Sequence, residues 1–204
     1  MFNKKIESIE YRPYPIKELL IRMKDTAMLV VDLAYAALLF KDKDLANEVL
    51  ELEQEVDTLN YYLQINTMLA ARDAKDAEAL QSILRIASLT DRISDCAGDI
   101  VDTVLKGAEP HPIMLEGLRK MDEPLVVVKV SSNSRLNGKS LSQLRIRTKM
   151  GVNIIAIRRE NKWIVDPDKT EKIFSEDVLI VRGSSTGVER LKSIALGTGE
   201  EFVE

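Results

Sequence analysis

The stretch Gly98-Asp99-Ile100-Val101-Asp102-Thr103-Val104-Leu105-Lys106-Gly107-Ala108-Glu109-Pro110-His111-Pro112-Ile113-Met114-Leu115-Glu116-Gly117-Leu118-Arg119-Lys120-Met121-Asp122-Glu123-Pro124 is where this 204-residue chain changes character. Gly98 is the first glycine in the sequence, and from Ile16 to Ala97 there is no proline either. Breakers then crowd at Gly107, Pro110, Pro112, Gly117 and Pro124, and glycine stays frequent to the end. Inside a helix, glycine costs about 1 kcal/mol and proline about 3 kcal/mol relative to alanine. The half before this stretch therefore reads as long helices, and the half after it as mixed structure.

Periodicity on the N-terminal side agrees. Ile16, Leu19, Met23, Thr26, Val30, Leu33 and Ala37 step by three and four, as do Leu45, Val49, Leu52, Val56, Leu59 and Leu63. A third stripe runs through Ile83, Ala87, Ile93, Ala97, Ile100 and Val104, with Cys96 near its edge as a small buried apolar side chain. Short connections at residues 41–43 and 72–76 make neighbours antiparallel. Residues 1–107 are thus expected to form an antiparallel three-helix bundle, and residues 108–124 a linker. Three helices leave apolar surface open, so a second copy is expected to pack against them.

On the C-terminal side, residues 125–130, 152–157 and 177–181 are β-branched runs, and residues 158–165 read as a hairpin turning at Glu160-Asn161. A short helix capped by Ser140 lies between the first two runs, and a last helix begins near Ser184. Residues 125–204 are expected to be a small α+β domain, giving a fold of class α plus α+β. A domain of that size gains from dimerisation.

The net charge of −4 and pI near 5.3 give no overall attraction for nucleic acid. One cysteine excludes an intrachain disulfide. Residues 1–14 lack the apolar core of a signal peptide, and residues 27–40 are too short, and too interrupted by Asp32, to span a membrane. A cytoplasmic protein is expected, reaching the membrane through a partner and not by insertion. No glycine-rich phosphate loop occurs, and His111 sits between two prolines, a poor place for a rigid catalytic base. No nucleophile–base pair can be assembled, so an enzyme is not expected.

Two charged groups stand out. Glu53 and Asp57 are four apart on the second helix, and Asp91, Asp95 and Asp99 repeat that step on the third, opposite the Ile93–Ala97–Ile100 stripe. Such a row suits a hard cation such as Mg²⁺, Ca²⁺, Mn²⁺ or Fe³⁺, and it equally suits a solvated helix face. Arg145, Arg147, Lys149, Arg158 and Arg159 concentrate positive charge on an acidic chain, which favours an anionic ligand. Trp163 either stacks on a base or covers a sheet face.

The second half resembles a known family. Val128-Lys129-Val130, Ser134-Arg135-Leu136-Asn137-Gly138-Lys139-Ser140-Leu141, residues 151–159, Asp166-Pro167 and residues 174–183 are similar to the TrkA-C domain, the C-terminal lobe of potassium-transport regulators. Glu176 departs from that pattern, which usually has glycine there. The first half resembles PhoU, through residues 53–57 and 89–100. The TrkA-C resemblance implies a homodimer that takes a regulatory ligand such as cyclic di-AMP at the dimer interface. Its contacts would fall on Met150, Val152, Asn153 and Ile154, with Arg147 meeting a phosphate. The PhoU resemblance implies metal on Glu53, Asp57, Asp91, Asp95 and Asp99. Together they imply a ligand-sensing regulatory subunit of a potassium or other cation channel or transporter, acting by dimer rearrangement. The alternatives are a metal-binding adaptor in phosphate signalling and a metal-dependent phosphohydrolase.

Overall fold

A computed structural model of the chain describes residues 13–119, 122–160 and 162–198. Three long helices come first: α1 (Ile16–Phe40), α2 (Lys43–Ala70) and α3 (Ala74–Leu105). Each turn between them is closed by an aspartate. The Leu45 amide donates to Asp42 Oδ1 at 3.0 Å, and the Asp76 amide to Asp73 Oδ1 at 2.8 Å. Both are side-chain caps that satisfy otherwise orphaned N–H groups at a helix start. Among the described residues no helix is long and apolar enough to cross a membrane.

The chain divides into two compact units, residues 1–31 with 49–100, and residues 32–48 with 101–204. The tip of the α1–α2 hairpin thus belongs to the second unit, although in sequence it is continuous with the bundle. In the first unit Leu19, Met23 and Ala27 of α1 pack on Val56, Leu59 and Leu63 of α2 and on Ala87 of α3. Tyr14 closes the end of this core with an edge contact to Tyr62, and its amide donates to Asn66 Oδ1.

The buried line of α3 differs from expectation. It runs through Ala87, Ser94, Ala97, Val101 and Val104, while Ile93 is 53% exposed. Positions 87, 94 and 101 step by seven, and Ile93 lies 100° around the helix from Ser94. Of the expected stripe, Ala87, Ala97 and Val104 are buried and Ile83 packs against the core, whereas Ile93 gives its place to Ser94. Cys96 is likewise exposed, not buried.

In the second unit a short helix α4 (Pro112–Arg119) precedes β1 (Leu125–Lys129), α5 (Leu141–Leu144), α6 (Ile146–Met150), β2 (Val152–Arg159), β3 (Lys162–Val165), β4 (Val178–Gly183) and α7 (Ser185–Ala195). The strands form one antiparallel sheet in the order β1-β4-β2-β3. Ser140 and Gln143 make a reciprocal capping box at α5, and Ser184 caps α7. The helix starts read from these serines are therefore confirmed. Glu160 turns the β2–β3 hairpin with φ 56°, and Asn161 lies outside the described residues.

One face of the sheet meets α5, α6 and α7 in a core of Val128, Val152, Ile154, Leu179, Val181, Val188, Leu191 and Ile194, among others. The ladder shifts between Ile154 and Ala156, so Ile155 is an extra residue in β2. The backbones at α7 and β4 touch too closely for side chains. A Cβ on Gly187 would lie 2.1 Å from the Met150 carbonyl oxygen, and one on Gly183 would lie 2.5 Å from that of Gly151.

A buried ion pair ties the end of β2 to the turn that leads into β4. Asp177 is 1% exposed. Arg159 grips it with two bonds, Nε to Oδ1 at 3.0 Å and Nη2 to Oδ2 at 2.9 Å, and the Phe174 amide donates to the same Oδ2. The rest of the guanidinium donates to Glu171 and to the Lys172 carbonyl, and it stacks over the Phe174 ring. Removing one partner of such a pair strands a buried charge, at a cost of about 3–5 kcal/mol. Arg159→Ala is expected to lower the unfolding free energy by that order, read from urea denaturation, whereas Lys129→Ala, which breaks an exposed pair with Glu176, should cost under about 1 kcal/mol.

Glu176 occupies a left-handed backbone conformation, φ 70°. An L-residue pays roughly 1–2 kcal/mol there, part of which glycine gives back in unfolded-state entropy. Glu176→Gly is therefore expected to raise stability by about 0.5–1 kcal/mol; a drop of that size in a thermal melt would contradict this account.

Candidate functional site

The acidic residues of the first unit converge. Glu53 and Asp57 share one side of α2 because they are one turn apart, and α3 sets Asp95 against them. One carboxylate oxygen from each of these three lies within 4.8 Å of the others. Asp91 adjoins the group, sharing hydrogen bonds with Asn60 and Asp57, and its Oδ1 is buried with no protein partner among the described residues. Asp99 sits near enough to Glu53 to act on its charge. All five acidic residues singled out in the sequence thus lie in one neighbourhood, with Glu53, Asp57 and Asp95 the closest set.

Their mutual repulsion shows in their proton affinities. Burial pushes the Asp91 carboxyl up to about 6, and the charges of Asp57 and Asp95 add to it. Burial also raises Glu53, followed by the charges of Asp57, Asp95, Asp91 and Asp99, and it raises Asp57, followed by Asp95. Each shift means that the ionised form is disfavoured where it stands. A hard cation would offset that penalty, and an all-oxygen donor set with one orphaned buried oxygen fits such an ion.

In the second unit the ligand candidates separate into two groups. Met150, Val152 and Ile154 point into the sheet–helix core. Strand alternation turns the Ile154 side chain inward. Asn153, between Val152 and Ile154, is exposed on the other side of β2, and Arg147 is exposed on α6. β3 pairs with β2 only from Ala156 onward, so residues 152–154 have no strand partner on that edge among the described residues. What Val152 and Ile154 offer outward is backbone.

The basic concentration is smaller than the sequence suggests. Arg159 is held by Asp177 and Glu171, and Arg158 pairs with Asp42 at 3.1 Å while lying over the Trp163 ring. Trp163 is half-buried under that guanidinium, which agrees with a sheet-covering role. Arg145 and Arg147 remain exposed. Sequence reading missed Asp32–Arg182, 2.6 Å, and Asp42–Arg158, which join the hairpin tip to β4 and β2 within the second unit. Burial raises Asp32 despite the Arg182 charge that lowers it. An aspartate inside an apolar helical run, as Asp32 is, was the available signal.

Comparison with known proteins gives this geometry a context. Residues 20–104 match the PhoU domain and residues 125–196 the TrkA-C domain, so the chain carries one of each, in that order. Ktr system potassium uptake protein C of Bacillus subtilis (strain 168) is 44% identical over 79 residues, which cover 39% of this chain and 36% of that protein. The match thus spans about a third of that relative's length. Two solved structures align over the smaller part of the chain. The RCK_C domain dimer of S. agalactiae BusR in complex with c-di-AMP is 27% identical, covering 38% of this chain and 95% of that one, with a TM-score of 0.35. The RCK C domain of the potassium transport protein KtrA in complex with cyclic diadenosine monophosphate is 28% identical, covering 40% and 91%, with a TM-score of 0.34.

The acidic group carries its own test. Asp91 has a folded pKa above its ordinary value of 3.8. Its ionisation penalty is therefore full above about pH 6 and fades as pH falls toward the ordinary value. In chelator-containing buffer at pH 8, Asp91→Asn should stabilise the protein by about 1 kcal/mol, allowing for solvent screening of a half-exposed group. The gain should shrink as pH is lowered from 7 to 4, which melting curves across that range would show.

Proposed function

We propose that this protein is a cytoplasmic, non-catalytic regulatory subunit of a potassium-transport system, working as a homodimer that responds to a small anionic ligand. The observation that carries this reading is the TrkA-C match over residues 125–196, supported by the 44% identity to a potassium uptake protein over 79 residues. The transporter itself would supply the membrane span.

The ligand we propose is a nucleotide of the cyclic di-AMP type, bound where two TrkA-C domains meet. The open β2 edge at residues 152–154 supplies backbone donors and acceptors for an adenine edge, and the exposed Asn153 amide adds one of each. Arg147 supplies planar donors for a phosphate. Met150, Val152 and Ile154 hold that edge in place through the core. Ligand occupancy would favour one arrangement of the dimer and so regulate the partner.

A second reading rests on the acidic group. Glu53, Asp57 and Asp95, with Asp91 and Asp99 beside them, would hold a divalent or ferric ion, making the helical unit a metal-dependent adaptor as in phosphate signalling. Metal there and nucleotide on the TrkA-C domain are compatible.

Titration calorimetry of the full chain with cyclic di-AMP tests the ligand. Saturable binding is expected, weakened about tenfold or more by Asn153→Ala or Arg147→Ala and left intact by Asp57→Asn. Absence of heat, together with no thermal shift, would remove the nucleotide. Rubidium uptake by cells lacking the protein tests the transport role separately, and unchanged uptake at limiting potassium would overturn it.

A further inference from the structure

The face of the sheet that turns away from α5, α6 and α7 is covered in one place. Ile180 of β4 and its partner Ala156 of β2 are both 0% exposed, yet neither belongs to the core against those helices. An ion pair stands on each side of them, two residues further along each strand. Arg182 of β4 reaches Asp32, and Arg158 of β2 reaches Asp42. Strand alternation puts both arginines on the same face as Ile180 and Ala156. On the sheet, Arg182 is four residues, about 13 Å, from Val178, the partner of Arg158. On the helix, Asp32 is about 12 Å from the end of α1 at Phe40. The matched lengths lay the last turns of α1 along β4, with Ile180 and Ala156 beneath them.

Arg182 also belongs to the open end of β2. Its register partner there is Asn153, so the two side chains leave one face of the sheet with Cβ atoms about 5 Å apart. The guanidinium is held by Asp32 Oδ1 at 2.6 Å and by the exposed Glu123 at 3.5 Å. Asp32 itself lies among the buried Val30, Leu33 and Ala34, and its side chain is only 15% exposed. Without Arg182 it would be a charge stranded in apolar surroundings, which favours moving the helix end into water.

We propose that Arg182 is shared between two competing anions: Asp32, which keeps the tip of the α1–α2 hairpin on the sheet, and a phosphate of a ligand seated at Asn153, which releases that tip. This coupling rests on the nucleotide reading given above and supplies its output, a hairpin tip docked without ligand and freed with it. The competition is reciprocal, so whatever weakens the hold of Asp32 strengthens ligand binding.

Titration calorimetry of the full chain with cyclic di-AMP tests the competition. Asp32→Asn keeps the shape of the side chain and removes its charge, and it should tighten binding about fivefold or more. Arg182→Gln should weaken binding about tenfold or more. In the double variant the gain from Asp32→Asn should vanish, because the contested guanidinium is gone. Hydrogen exchange on the unmodified protein gives a second reading that needs no variant. Amides of residues 36–46 should exchange faster with cyclic di-AMP bound, the reverse of the general protection a ligand confers. Binding by the unmodified protein with no gain in Asp32→Asn, an equal gain in the Arg182→Gln background, or slower exchange at the hairpin tip would overturn the coupling and leave the ligand reading standing. Absence of binding by the unmodified protein would remove both.

Discussion

A carboxylate with almost no access to water organises the second unit. Asp177 sits just before β4, and its two oxygens take three hydrogen bonds, two from Arg159 and one from the Phe174 amide. Charges so buried persist only when fully partnered. Satisfying Asp177 therefore fixes the end of β2, which supplies Arg159, and the turn at residues 174–177 that leads into the central strand. Once β4 is placed, β1 and β2 pair on either side of it, and α7 follows directly from its end. The exposed Asn153 and the open edge of β2 owe their positions to a clamp six residues further along the same strand.

The acidic neighbourhood of the first unit is organised on the opposite principle. Asp177 is neutralised by a guanidinium, whereas Asp91 has a carboxamide and another carboxylate as its hydrogen-bond partners. The first arrangement is complete, and the second carries an electrostatic deficit. That contrast separates an ion pair that holds a fold from a group of charges that a fold holds in place.

Much of this was legible in the residues. The change from period-3.6 helices to β-branched strands and the serine caps follow from local spacing, which is what sequence displays, whereas a common site for Glu53, Asp57, Asp91, Asp95 and Asp99 across two helices was implied only by the PhoU resemblance. The errors have a common source. Ile93 and Cys96 were assigned to the core by hydrophobicity, but on this stretch α3 turns Ser94 and Ala97 inward. Arg158 and Arg159 were counted as free charge, although their partners are Asp42, 116 residues away, and Asp177, 18 residues away. Pairings across such distances leave no periodic trace.

The extra residue in β2 bears on how this strand tolerates insertion and deletion. With Ile155 looped out of the ladder, Ile154 still stands opposite Val181 and Ala156 opposite Ile180. Loss of that one residue would leave every other partner in place and every other side chain on its present face. Loss or gain of a single residue elsewhere in the paired part of β2 would turn the positions beyond it over, sending Ile157 outward and a charged neighbour into the core. Length drift among related chains should thus be confined to the loops and, within this strand, to position 155.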